Sequence, residues 1–327
     1  MNIGDIAELA GVSRAAVSRY LNNGYLSEEK RLKISKVIEE TGYKPSITAQ
    51  MLRTKKTRLI GVVLPRIRSD SISSIVEGIE SVLEKTGYEM LLACTDNSPE
   101  KELNYLETLL NRNVDGIILV ATVFTEAHRA LLSGFRIPLV IIGQKISGFH
   151  CVYHDDRGAG RELTELMISR GKKKILYIGV LKEDVAVGSE RLKGYLEAME
   201  AHHLNVTDKM TATAVFSRES GYEKMGELLS ANPDAEAVIC ATDGIATGAM
   251  ICLKERGFRL PEDFALAGFG DNAGSVVTSP AITTIHFYYR ESGETAASQL
   301  MEQMDGKGHP AAEICFGYEL KDRESVQ

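Results

Sequence analysis

From Leu59 onward the chain repeats one pattern, a short apolar run followed by a longer amphipathic stretch. The runs are LIGVVL (59–64), EMLLAC (89–94), GIILVA (116–121), PLVIIG (138–143), ILYIGV (175–180), AVICAT (237–242) and FALAGF (264–269). Near-continuous apolar segments of this length, rich in Val, Ile and Leu, match strands buried on both faces. Helical stretches separate most of them. Strands that alternate with helices build βαβ units, with ligands at the carboxyl ends of the strands. The expected body is a doubly wound α/β fold.

Ahead of residue 59 the period changes. Gly4–Asn23, GDIAELAGVSRAAVSRYLNN, reads as two short helices joined at Gly11. Ile6, Leu9 and Ala10 give the first an apolar face at i, i+3, i+4. Gly11 permits the sharp turn and Ser13 is a suitable N-cap for the second helix. Val17 and Leu21 then point inward, leaving Arg14, Ala15, Ser18, Arg19 and Asn22 outward. A short helix whose outer face is small, polar and cationic suits the DNA major groove, where Arg reaches guanine and Asn pairs with adenine. An ordinary helical hairpin with a wet face would share this spacing. After Asn22-Asn23-Gly24, Ser27 should cap a third helix with an Ile34, Val37, Ile38 stripe, ending at Gly42 before Pro45.

Charge separates the same two regions. The net charge of −7 divides into +5 over residues 1–58 (11 Lys/Arg, 6 Asp/Glu) and −12 over the rest (27 against 39). A basic head on an acidic body points to nucleic acid. At 327 residues, two or three domains are expected. No apolar run reaches the ~18 residues of a membrane span, and the N-terminus has no signal-peptide pattern, so a cytoplasmic protein is expected. Cys94, Cys151, Cys240, Cys252 and Cys315 are scattered without C-x-x-C spacing, which fits reduced structural thiols.

The run DIAELAGVSRAAVSRYLNN, followed by LSEEKRLKISKVIEETGYKPSITAQMLRTKKTRLIGVVLP, resembles the head of the lactose/galactose-repressor (LacI/GalR) family of bacterial transcription regulators. The likeness is dense to about residue 65 and looser to near the end. It implies a helix-turn-helix head over 1–45, a hinge helix over 46–58, and a type I periplasmic-binding-protein-like body over 59–327. That body would have two doubly wound parallel-sheet subdomains around a cleft, the N-subdomain about 59–154 and 288–318, the C-subdomain about 155–287. Crossings are expected near Asp155, His286–Arg290 and Glu313–Tyr318. In the hinge SITAQMLRTKKTR, the resemblance implies that Leu52 wedges into the minor groove of operator DNA and kinks it. Ala49 would allow close approach, and Arg53 and Lys55 would meet phosphates or groove edges. Read without the resemblance, the segment is a solvated basic linker.

The family's effector contacts follow the strands, and the matching positions here are Arg66, Asp70 and Ser71; Asp96, beside Thr95; Thr122 and Phe124; and Gln144. In the second half they are Ser189 and Arg191 (in GSERLKGYLEAM), Phe216, Thr242 and Asp243. Carboxylates, an amide, an arginine and aromatic platforms suit a sugar, whose hydroxyls donate and accept while its C–H faces stack. Arg191 and Asp243 also admit a structural pairing or capping role. Asp156 is expected to cap a helix, and Asp155 to cap or to bind.

Two departures stand out. Family members usually carry an acid directly after the aromatic of the seventh run; GFGDN has Gly270 there and Asp271 one place later, removing a hydroxyl acceptor and opening space for a disaccharide such as sucrose. The reading helix has Arg14-Ala15-Ala16 and Tyr20, so no operator can be transferred. The polar segment after Tyr318 has no leucine heptads, leaving a homodimer as the expected assembly.

Enzyme signatures fail on spacing. GFGDNAG has its third glycine one place late for G-x-G-x-x-G, and no phosphate loop, nucleophile elbow or H-E-x-x-H pair occurs. His202 and His203 are adjacent and face different ways. The expectation is a non-enzymatic regulator without metal or cofactor, a repressor of carbohydrate-use genes released by a sugar in the cleft. A corepressor- or partner-controlled regulator and a cytoplasmic sugar-binding module are the alternatives.

Overall fold

The computed structural model describes residues 1–22, 24–43, 56–306 and 310–327, in two compact units, Met1–Thr57 and Arg58–Gln327.

The first unit holds three helices, α1 (Ile3–Leu9), α2 (Arg14–Leu21) and α3 (Glu28–Thr41). Asn2 caps α1, its side chain accepting from the Gly4 and Asp5 amides at 2.7 and 3.3 Å while Asp5 accepts from the Asn2 amide at 2.8 Å. That reciprocal box satisfies donors a free helix end leaves orphaned. Gly11 makes the turn at φ +62°, and the Ser13 hydroxyl accepts from the Ala16 amide at 3.2 Å. Ile6, Ala7, Ala10, Ala16, Val17 and Ile34 form the core. Leu9 does not join it and is 61% exposed. The buried stripe of α1 runs through Ile3, Ile6, Ala7 and Ala10, so Leu9 falls beyond its edge. Ser27 stands at the start of α3 but makes no side-chain cap bond, and Gly42 ends that helix at φ +63°.

The second unit contains two six-stranded sheets. The first has the order β11-β5-β4-β3-β1-β2, all parallel: β1 (Leu59–Leu64), β2 (Glu89–Cys94), β3 (Gly116–Val120), β4 (Leu139–Ile142), β5 (His150–His154) and β11 (Glu313–Phe316). The second has the order β12-β10-β9-β8-β6-β7: β6 (Ile175–Gly179), β7 (Thr211–Thr213), β8 (Ala237–Cys240), β9 (Ala265–Phe269) and β10 (Thr283–Phe287) are parallel, and β12 (Tyr318–Lys321) runs antiparallel to β10. The chain therefore passes between lobes after His154, between Phe287 and Tyr289, and at Gly317. The ring of His154 lies 5.1, 5.3 and 5.8 Å from those of Phe287, Tyr289 and Phe316, so one aromatic cluster joins all three crossings.

Helices cover both faces of each sheet. In the first lobe α4 (Asp70–Thr86) packs against α12 (Tyr289–Met304). A Cβ at Gly78 would fall 2.1 Å from the Arg290 carbonyl oxygen, and one at Gly293 2.2 Å from that of Ile75. Only glycine permits that approach. The segment after Tyr318 is not a polar tail. It supplies β12, then buries Ser325 and Val326 in the core of the second lobe. Among the described residues no helix is long and apolar enough to cross a membrane, and no group of three His, Cys, Asp or Glu is placed to hold a metal. The five cysteines are free.

Candidate ligand cleft and DNA-reading helix

On α2 the outward set is as the spacing predicts. Arg14, Ala15, Arg19 and Asn22 are exposed, Ser18 is half-buried and Ser13 is spent on its cap. The Asn22 amide donates back to the Ser18 carbonyl. The hinge positions Ala49, Leu52, Arg53 and Lys55 lie outside the described residues.

In the body, the loops at the carboxyl ends of both sheets enclose a cavity of about 500 Å³. This is within the roughly 300–1,000 Å³ of small-molecule sites. The first lobe contributes Arg66 to Asp70, Ser71 and Ser73, which form the loop after β1 and the first turn of α4. The second contributes Val187 and Arg191, Phe216, Thr242 to Gly244, and Phe269, Gly270 and Asn272, with Tyr289 at the second crossing.

Arg191 opens α8 (Arg191–Ala201) directly after a π-helical turn, Val185–Glu190. Such turns are rare and gather at functional sites. The Arg191 Nε donates to Asp156 Oδ1 at 2.7 Å and its Nη1 to the Ala241 carbonyl at 2.6 Å. Its guanidinium lies 4.8 Å from the ring centres of both Phe269 and Phe287. Burial opposes the charge, and the Asp156 carboxylate together with Tyr289 and Tyr177 more than offsets that, holding Arg191 above the ordinary guanidinium value. Asp156 is thus the counter-ion of Arg191 and not a helix cap. The cap of α7 (Asp156–Ser169) is Asp155, which accepts from the Gly158 amide at 2.8 Å. A cap must precede the first helical residue, and Asp156 is already inside the helix.

Asp243 begins α10 (Asp243–Glu255) at the cavity floor and is not paired with Arg191. It accepts from Thr284 Oγ1 at 2.6 Å and from the Asn272 amide at 3.0 Å, and burial raises its pKa against those two bonds. Thr242 is that helix's cap. Gly270, at φ +132°, carries the chain into the turn before α11 (Ala273–Val277). Asp271 faces away from the cavity, bound by Arg323 and by His286 Nδ1 at 3.0 Å.

Away from the crossings, contacts also span the two lobes. The Arg66 guanidinium stacks on the Phe216 ring at 3.7 Å, and Val123 pairs with Asp184 in an antiparallel bridge. Asp184 accepts from the Val187 amide at 3.1 Å, and burial pushes its carboxyl up to about 6.

Of the expected effector residues, Arg66, Asp70, Ser71, Arg191, Phe216, Thr242 and Asp243 meet at the cavity. Asp96, Thr122, Phe124, Gln144 and Ser189 do not line it. Asp96 is exposed and paired with Lys101 at 2.9 Å. Phe124 packs on His128 and Phe149, and the buried Gln144 amide donates to the Thr122 carbonyl. Ser189 lies in the π-turn, its amide donating to the Asp184 carbonyl at 3.1 Å. Gln144 instead lines a second cavity of about 470 Å³ beside His154 and Asp155. Sequence reasoning passed over Arg68, Phe269, Asn272 and Tyr289. Arg68 is legible in the same loop as Arg66, whereas Tyr289 depends on a crossing that no apolar run marks.

A two-lobed α/β body with a polar cleft, on one chain with a helix-turn-helix, defines a ligand-controlled DNA-binding regulator. The chain belongs to the lacI family of bacterial regulatory proteins, whose profile matches residues 2–46, and a periplasmic binding protein-like domain matches residues 164–326. It is 33% identical over 303 residues to the sucrose operon repressor of Staphylococcus xylosus, covering 93% of each chain. Its structure is similar to that of the transcriptional regulator CelR–cellobiose complex (TM-score 0.77, 27% identity, 99% of each chain). In fold it also matches the lac repressor dimer bound to operator and the anti-inducer ONPF, with TM-score 0.91 at 23% identity over 100% and 99% of the chains. The protein is a transcription regulator, not an enzyme.

Proposed function

We propose that the protein represses carbohydrate-utilisation genes in the cytoplasm, as a homodimer on operator DNA, and is released by a sugar bound in the cleft. The observation that carries this reading is the makeup of the cavity: aromatic faces of Phe216, Phe269 and Tyr289 beside the polar groups of Asp243, Asn272 and the α4 loop. Sugars need that combination. The relatives named above, a sucrose operon repressor and a regulator solved with cellobiose, support a carbohydrate effector.

In this reading residues 1–45 read the operator through α2, residues 46–58 form the hinge with the Leu52 wedge, and the body sets whether two hinges meet. Contacts between the lobes, such as Arg66 on Phe216, exist in one arrangement of the body, and a ligand shifts the balance by binding one arrangement better.

The test is binding of the full-length protein to its own upstream DNA with and without mono- and disaccharides and their phosphates. Release by one sugar is expected. Tightening would reverse the sign of control, and absence of binding by a folded dimer would refute DNA regulation by this head.

A further inference from the structure

The second cavity, of about 470 Å³, shares no lining residue with the first. It lies at the first crossing, beside His154 and Asp155. The loop after β4, Tyr153 and Cys315 line it from the first lobe, and Arg157 with Val185, Ala186 and Glu190 of the π-turn from the second. Its size suits a small molecule.

Most charges around it are matched. Lys145 pairs with Glu313 at 2.7 Å, Arg157 with Glu197, Glu190 with Lys193 at 2.5 Å and Asp156 with Arg191 at 2.7 Å. Burial pushes His154 toward its neutral form. Asp155 is the exception. Among the described residues no cationic side chain forms an ion pair with it, and its carboxylate accepts only the Gly158 amide, at 2.8 Å. The cavity is left with a negative bias: the Cys315 thiol on its wall is pushed up by burial first, then by Asp155 and Asp156, against a smaller opposing effect of Lys145.

A second acceptor stands in the same wall. Gln144 is 4% exposed, and its Nε2 donates to the Thr122 carbonyl. Its Oε1 receives no hydrogen bond among the described residues. A buried carbonyl oxygen without a donor is costly, and a ligand N–H recovers that cost. The Tyr153 ring and the Val185 and Ala186 side chains supply an apolar wall. An anionic ligand would meet the Asp155 charge, whereas an ammonium carries only donors.

We propose that this cavity binds a small organic cation, a protonated amine with a short apolar body, its N–H groups donating to Asp155 and to Gln144 Oε1. The assignment does not depend on what fills the first cavity.

The test is calorimetric titration of the full-length protein with putrescine and cyclohexylamine, each against its neutral counterpart, 1,4-butanediol and cyclohexanol. At about 0.15 M salt, at least one amine is expected to bind about 10-fold or more tighter than its alcohol. Asp155→Asn keeps the α7 cap, because Asn caps as well as Asp, and should weaken that amine about 5-fold or more. Gln144→Met should weaken it by a smaller factor. Failure of both amines to bind, or equal binding of amine and alcohol, would overturn the proposal. Amine binding unmoved by both substitutions would assign it to general attraction by the acidic body and overturn the proposal as well.

Discussion

Arg191 and Asp156 meet at 2.7 Å, Nε to Oδ1, with their side chains only 4% and 6% exposed. They lie 35 positions apart, at the starts of α8 and α7. The pair aims a guanidinium at the cavity wall while Phe269 and Phe287 flank it. Its orientation is thus set by the protein before any ligand binds.

Removing one partner of a buried pair leaves the other charge without compensation. Asp156→Ala should destabilise the body by about 3–5 kcal/mol, and Asp156→Asn by less, since an amide oxygen still accepts from Nε. Urea unfolding measures both. A loss under about 1 kcal/mol for the alanine variant would show that water reaches Arg191.

Asp184 predicts a pH dependence. Its ordinary value is 3.8 and burial raises it to about 6 in the folded protein. The folded state therefore holds the proton more tightly than the unfolded chain. The resulting stabilisation is complete below about pH 3.8 and is lost as pH rises through about 6. Asp184→Asn should exceed the parent in stability above pH 6, by up to about 3 kcal/mol, and the two should converge near pH 4. Parallel stability curves across that window would rule the ionisation out.

Arg323 reaches from the C-terminal segment to Asp271 and also donates to Ser275 Oγ at 3.2 Å and the Ile282 carbonyl at 3.1 Å. Asp271 sits at φ +50°, between the cavity residues Gly270 and Asn272. Arg323→Met should cost about 1–3 kcal/mol and also weaken ligand binding, because the turn that presents the Asn272 amide to Asp243 loosens. Loss of stability with an unchanged ligand Kd would assign Arg323 to folding alone.

In the head, Ser13→Ala removes a formed cap bond and should cost about 1 kcal/mol, whereas Ser27→Ala removes none and should be near neutral. Melting of the two variants side by side checks the ranking; equal losses would contradict it.

Leu52→Ala should weaken specific operator binding by about 1–3 kcal/mol while the salt-dependent nonspecific affinity stays nearly constant. Filter binding to operator and to random DNA over a salt series separates the two. Equal loss on both would remove the wedge.

Much of the α/β architecture is legible because central parallel strands are apolar on both faces. All seven apolar runs contain strands. The strands with no apolar run to mark them are the crossing, edge and short ones: HCVYH of β5, TTIHF of β10, EICF of β11, YELK of β12 and TAT of β7. Their composition is mixed because they pair on one side only or lie at a crossing, where His154 packs on the rings of Phe287, Tyr289 and Phe316. The effector set follows the same division. Residues immediately beside a well-marked strand, such as Arg66 and Thr242, reach the cavity. Asp96, also after a strand, follows β2 at the sheet edge and turns to solvent.

The sequence by itself determined the head, the doubly wound body and the basic-acidic division, because periodicity, caps and local charge act over a few residues. The tertiary structure alone decided which charges pair. Arg191 chose Asp156 over Asp243, Asp271 turned to Arg323 and His286, and Arg66 came to rest on Phe216 of the opposite lobe. Pairing depends on distance and burial between segments far apart in the chain, and a charge removed from water must take the partner that packing brings within reach.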